Sequence, residues 1–203
     1  MGLYSKFVFP WLCDWALRAP VVAEQRRALL ARAGGRVLEI GFGTGLNLAH
    51  YPEEVRAIVA VDRNPGMWRR GRRRMAGARI AVDQRQASVE RLPFAEASFE
   101  TVVSTFTLCS VADVRRAIAE VRRVLVPGGQ FLFLEHGLSP EPDVRRRQER
   151  MNWLQMLVGD GCRLDRPMGE LIGGAFAAVE SEAFYLEETP KTHGYVWRGR
   201  AVV

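Results

Sequence analysis

Lysine is nearly missing from this chain of 203 residues: Lys6 and Lys191 are the only two, and the net charge of +6 comes from arginine. The arginines crowd into Arg69-Arg70-Gly71-Arg72-Arg73-Arg74 and Arg145-Arg146-Arg147. Such runs suit nucleic acid, anionic lipid or an acidic substrate. No aromatic-interleaved stripe or nucleic-acid motif accompanies them, so they read as solvated helix faces and no nucleic-acid partner is expected. Long apolar runs are missing too, since none approaches the ~20 residues that span a bilayer. The opening Met1-Gly2-Leu3-Tyr4-Ser5-Lys6 lacks a signal-peptide layout and sets Lys6 where a myristoylation site wants Ser or Thr. Cysteine is scarce: Cys13, Cys109 and Cys162 are far apart and odd in number, and there are only three histidines. That excludes a disulfide framework, gives no metal spacing, and suits a reducing, cytoplasmic setting. With 48% apolar and 26% charged residues, the chain reads as globular and of ordinary single-domain size.

What is present is glycine in one telling place. Val37-Leu38-Glu39-Ile40 reads as a buried strand, and Gly41-Phe42-Gly43-Thr44-Gly45 as the tight loop after it. Glycine is needed where the backbone takes positive φ or a ligand approaches with no Cβ in the way. Early in an alternating chain, such a strand and loop is where open α/β sheets bind nucleotides. The dinucleotide fingerprint G-x-G-x-x-G would put its third small residue at position 46, which is Leu46. Here the third glycine comes one place early, and Glu39 stands two residues before the first. Asp62 ends the next apolar run, Ala57 to Val61.

The remaining pattern predicts one alternating unit. Residues 36–40, 57–62, 79–84, 101–105 and 131–135 read as strands, and residues 179–186 and 195–202 as a closing antiparallel edge pair. Helices are expected from Leu46 to about Tyr51-Pro52, from Pro65 to Met75, from an Asp113 cap to Leu125, from Pro140 to about Val158, and near 167–176. Residues 1–35 form a helical extension ahead of a domain over 36–203. Tyr4 to Leu17 is aromatic and interrupted by Pro10, and a second helix runs from Pro20 to Ala33, closed by Gly34-Gly35. So large an apolar surface packs on the core, forms a lid over a hydrophobic substrate, or touches a membrane edge.

The Glu39-x-Gly41-x-Gly43-x-Gly45 pattern resembles motif I of the class I methyltransferases that use S-adenosylmethionine (SAM). Ala87-Ser88-Val89-Glu90-Arg91-Leu92-Pro93-Phe94, with Ser98-Phe99-Glu100, resembles the G-D-A-E-x-L-P-F…S-F-D signature of ubiquinone-biosynthesis-type methyltransferases. Residues 102–111, 125–129, 133–137 and 161–166, together with Val8-Phe9-Pro10-Trp11, resemble bacterial relatives of the animal thiol S-methyltransferases called methyltransferase-like seven. The resemblance implies a Rossmann-like α/β fold with a mostly parallel seven-stranded sheet, SAM as cofactor and no metal. SAM carries no phosphate, so its pocket needs close backbone approach, acceptors for the ribose hydroxyls and apolar cover for adenine. Asp62 is placed for the ribose, Met67 for the adenine face, and Ser88 with the Val89 backbone N–H for the adenine edge. The candidate cofactor set is Glu39, Gly41, Gly43, Thr44, Gly45, Asn47, Asp62, Arg63, Met67, Ser88, Val89, Thr105 and Phe106.

On the acceptor side, Thr107, Cys109, His136, Asp160 and Cys162 follow strand ends or a later loop, with His136 the first choice for a base. Three readings follow. One is methyl transfer to a small lipophilic acceptor, thiol favoured, because a thiolate needs little base help. A second is transfer to carbon, oxygen or nitrogen, as in a quinone precursor or phospholipid headgroup. A third is a SAM-binding module without catalysis, at a membrane or nucleic acid. The expected partner is a small molecule, with peripheral contact of the N-terminal segment at the inner membrane face left open.

Overall fold

The structure, a computed structural model, describes residues 2–203. Seven strands form one sheet: β1 (Val37–Ile40), β2 (Ala57–Val61), β3 (Ala81–Arg85), β4 (Phe99–Thr105), β5 (Leu125–His136), β6 (Ala178–Tyr185) and β7 (Tyr195–Val202). Their order is β3-β2-β1-β4-β5-β7-β6. Strands β1 to β5 pair in parallel, and only β7 runs the other way, antiparallel to both β5 and β6. This is the Rossmann-like arrangement expected, with the antiparallel pair at one edge.

The strand order reverses at β1, which pairs with β2 on one side and β4 on the other. Ile40 sits in register with Val61 and with Ser104, so Gly41, Asp62 and Thr105 leave the sheet side by side. Such a reversal opens a crevice at the carboxyl ends of the strands.

Among the described residues seven α-helices accompany the sheet: α1 (Phe9–Leu17), α2 (Pro20–Leu30), α3 (Pro65–Ala76), α4 (Val114–Val124), α5 (Pro142–Val158), α6 (Met168–Gly173) and α7 (Lys191–Gly194). Along β5, Phe131 and Phe133 enter one apolar layer while Leu132 and Leu134 enter the other, as the two-residue period of a doubly covered strand requires. The first layer takes Ala117, Ile118, Val121 and Val124 of α4 with Met168 and Ile172 of α6. The second takes Val22, Leu29 and Leu30 of α2. Removing one such side chain, as in Leu132→Ala, costs about 2–5 kcal/mol.

Several local expectations are corrected. The helix expected after the glycine loop is a single 3₁₀ turn, Leu46–Ala49. Pro52 disfavours helix at the residue before it, and the side chains of Asn47 and Tyr51 turn inward to Glu39 instead. Strand β5 begins at Leu125, earlier than expected, and carries Val126 to Gly129 through a register shift against β4 at Phe99/Thr101. Pro10 does not break the N-terminal segment: a π-turn, Tyr4–Val8, leads into α1, and Pro10 falls in its first turn where no N–H is needed. Helix α2 ends at Leu30 and helix α5 starts at Pro142, each about a turn or less inside the expected span. The single turn α7 had no counterpart in the sequence reading.

Candidate active site

Gly41 and Gly43 each answer a local demand. A Cβ on Gly41 would stand 2.0 Å from Thr107 Oγ1, so only glycine lets the loops after β1 and β4 meet. Gly43 has φ +59°, and a Cβ there would meet only the Gly41 carbonyl oxygen at 3.8 Å. Its N–H donates to Asp62 Oδ2 at 2.8 Å, and Asn64 N–H donates to Asp62 Oδ1 at 2.7 Å. Asp62 is thus the hub between the loop and the start of α3, where Asn64 caps the helix by accepting from Gly66 N–H. Burial raises the Asp62 carboxyl above its usual range, and the two backbone N–H groups pull it back.

Behind the loop lies a buried polar chain. Glu39 accepts from Asn47 Nδ2 at 2.9 Å and from the Tyr51 hydroxyl at 2.8 Å. Burial pushes its carboxyl up to about 7. Asn47 Oδ1 and Thr105 Oγ1 accept from Arg26 Nη1 of α2, at 2.6 and 2.8 Å. Arg26 is only 4% exposed. Among the described residues, the buried side-chain nitrogens and oxygens without a partner are Arg26 Nε and His136 Nδ1.

The N-terminal segment closes the crevice. Asp14 of α1 accepts from Thr44 Oγ1 at 2.6 Å and from Arg74 Nη1 at 2.6 Å, with Arg70 Nη2 at 3.2 Å. Ser5 donates to Asp160 Oδ2 at 2.6 Å, and its backbone carbonyl accepts from Asn64 Nδ2. The result is a cavity enclosing about 940 Å³ of space, its open mouth included. Phe9, Cys13 and Leu17 of α1 form one wall, against Met67 and Phe106.

Gly41, Gly43, Thr44, Asn47, Asp62, Arg63, Met67, Ser88, Val89, Thr105 and Phe106 all line this cavity, whereas Glu39 and Gly45 do not. Ser88 shares its hydroxyl with Glu90, donating to Oε2 at 3.1 Å, and Glu90 also lines the space. Of the acceptor-side candidates, Thr107 and Asp160 reach the cavity; Cys109, His136 and Cys162 do not. Thr107 Oγ1 faces the Ile40 carbonyl at 3.2 Å, bracing the loop. The Cys109 and Cys162 sulfurs lie 3.6 Å apart, and this contact together with burial drives the Cys109 thiol up. His136, expected as a base at the acceptor, is separated from it: its ring packs 4.7 Å from Phe106, and burial pushes it down to about 4.

Sequence reasoning missed Arg26, Asp14 and Glu135. The trace of Arg26 was a lone cation among Val22, Leu29 and Leu30 on one helical face. Glu135, fully buried at the end of β5, accepts from Ser104 Oγ at 2.6 Å and Thr107 N–H at 3.0 Å. These bonds help hold Phe106 at φ +53°, a conformation that non-glycine residues keep only when their surroundings impose it.

A methyltransferase-domain family matches residues 38–133. The chain is 32% identical over 184 residues to the human thiol S-methyltransferase TMT1A, covering 82% of this chain and 75% of that one. It is 38% identical over 120 residues to a demethylmenaquinone methyltransferase of Clavibacter sepedonicus, covering 59% of this chain but 49% of that relative, so the match spans about half the relative's length. A solved SAM-dependent methyltransferase of Thermotoga maritima, described as a possible histamine N-methyltransferase, superposes with a TM-score of 0.69 at 20% identity, covering 98% of this chain and 97% of that one; it shares the fold. With the strand order, the glycine loop and the family match in agreement, the chain belongs to the class I SAM-dependent methyltransferases.

Proposed function

We propose that this chain transfers the methyl group of SAM to a small lipophilic acceptor in the cytoplasm, a thiol being favoured. The residues of the cavity fit the donor. Gly43 leaves room where a Cβ would project, Asp62 lines the space, and a buried guanidinium nitrogen lacks a partner. In this reading the loop from Gly41 to Thr44 lies against the cofactor and Asp62 accepts from the ribose hydroxyls. Met67 covers the adenine face, and Ser88 with the Val89 backbone N–H meets its edge. When bound, SAM supplies an electrophilic methyl carbon on a sulfonium.

One observation supports the thiol: among the described residues, the lining holds no histidine, lysine or tyrosine. Its ionisable groups are the carboxylates Asp62, Glu90 and Asp160, the cations Arg26 and Arg63, and Cys13, whose thiol burial raises to about 12. Amine or phenol acceptors need a base of suitable strength within reach. A thiol, with an ordinary pKa of about 8.5, is already partly ionised near neutral pH. The apolar wall of Phe9, Leu17 and Phe106 aligns the acceptor and keeps water out while the sulfur–carbon bond forms.

The reading includes peripheral membrane contact. Among the described residues no helix is long and apolar enough to cross a membrane. Phe7, Trp11 and Trp15 of the N-terminal segment and Trp153 and Leu157 of α5 are nonetheless exposed large apolar groups. The likeness to a demethylmenaquinone methyltransferase favours a second reading, carbon methylation of a quinol. A screen of thiol, phenol, amine and quinol acceptors, read by S-adenosylhomocysteine (SAH) release, separates the two. Turnover with thiols is expected; turnover with quinol or amine alone would overturn the thiol assignment.

A further inference from the structure

We infer that Arg26 recognises the carboxylate of the cofactor's amino-acid tail, so that helix α2 supplies the anion-binding end of the site. This rests on the cavity being a SAM site. Arg26 shares a buried face with Val22, Leu29 and Leu30 and is only 4% exposed. A charge withdrawn from water is costly unless something opposite in sign answers it. Among the described residues, nothing does so directly. Its hydrogen bonds go to the neutral Asn47 Oδ1 and Thr105 Oγ1, and no ion pair within 4.0 Å involves it. Glu39 stands one residue further off, with its oxygens taken by Asn47 and Tyr51. Arg26 Nε has no partner, although the residue lines the cavity.

Placement then selects the anion. The strand order sets Ser88, Asp62, the glycine loop and Thr105 in succession along the carboxyl edge. With the nucleoside on Ser88 and Asp62, the amino-acid tail extends towards the ends of β1 and β4, where Arg26 bonds Thr105. A guanidinium fork matches a carboxylate in shape and charge. Asn47, Thr105 and the Phe106 ring, 5.7 Å from the guanidinium carbon, hold the fork in place before the ligand arrives. An acidic acceptor would present the same group, and the experiment distinguishes it.

The test is titration calorimetry of the full chain with SAH and with its decarboxylated analogue, S-adenosyl-3-thiopropylamine. The wild type should bind SAH about 10–100-fold more tightly than the analogue, as expected for charge-assisted hydrogen bonds. Arg26→Gln should bring the two affinities to within about threefold, and Arg26→Lys should retain part of the preference. Equal affinities in the wild type would overturn the assignment without recourse to any variant and would leave an acidic acceptor as the anion. So would a folded Arg26→Gln that keeps full discrimination, folding being read by circular dichroism. Heat with neither nucleoside would remove the cofactor site and this assignment together; heat with both equally removes only the assignment.

Discussion

The backbone N–H of Gly43 donates to Oδ2 of Asp62 at 2.8 Å, across 19 residues of sequence. This bond sets the spacing between the loop after β1 and the end of β2, and so the width of the crevice between them. Asp62→Ala removes the carboxylate and loosens both backbone N–H groups that it holds. SAH affinity should fall roughly 10–100-fold, the range for lost hydrogen bonds to a charged group. Asp62→Asn keeps the side-chain shape and one oxygen and should lose less. Calorimetry decides, and unchanged affinity in the alanine variant would remove the ribose assignment.

The Gly41 loop tests steric need. Gly41→Ala combines positive φ, +66°, with a Cβ 2.0 Å from Thr107 Oγ1, whereas Gly128→Ala shares the positive φ, +76°, with nothing within 4 Å. The second change should cost about 1–2 kcal/mol from backbone strain alone. The first should cost about 1–3 kcal/mol more from overpacking. Thermal unfolding of the two variants checks the difference; equal losses would contradict the close approach.

Asp14 latches α1 over the cavity. Burial pushes its carboxyl up, but the hydrogen bonds from Arg74 and Thr44 and the nearby Arg70 outweigh that and hold it below the usual range. A depressed folded pKa stabilises above the unfolded value, about 3.9, and that contribution is lost as pH falls through the folded value. Asp14→Asn should therefore lower stability at pH 7 by about 1–3 kcal/mol, with the gap narrowing below about pH 4. Faster hydrogen exchange over residues 4–17 and weaker SAH binding should accompany it. Unchanged exchange there would show that the wall is held by other contacts.

Glu39 gives the opposite sign. Its folded pKa, raised to about 7 by burial, means that the native state holds a proton the unfolded chain releases near 4.3. Stability from this group is present at low pH and is lost as pH rises between those values. Glu39→Gln should flatten the decline in unfolding free energy between about pH 5 and 7. Denaturant melts across that window measure it, and an unchanged slope would contradict the buried, proton-holding carboxyl.

What could be read from sequence was local in origin. The run from Val37 to Gly45, the Asp62 terminus and the Asp113 cap announce themselves within a few residues, because strand period, positive φ and capping are short-range effects. Asp113 does cap α4, accepting from Arg116 N–H at 3.0 Å. Arg26 was out of reach because its partners Asn47 and Thr105 lie 21 and 79 residues away. Asp14 meets Arg74 across 60 residues in the same way. His136 had the residue type and strand-end position of a base, but the two-residue period of β5 puts it in phase with Leu132 and Leu134, against Phe106 and outside the cavity. The single 3₁₀ turn after the loop was hidden because the side chains that end it turn inward to a buried glutamate.

The most direct measurement is a titration of SAH into the purified chain, followed by the same titration in Asp62→Ala. A cofactor lying between the glycine loop and the end of β2 predicts one-to-one binding with a clear heat, weakened at least tenfold by the substitution. No heat in the wild type, or equal affinity in both proteins, would contradict it.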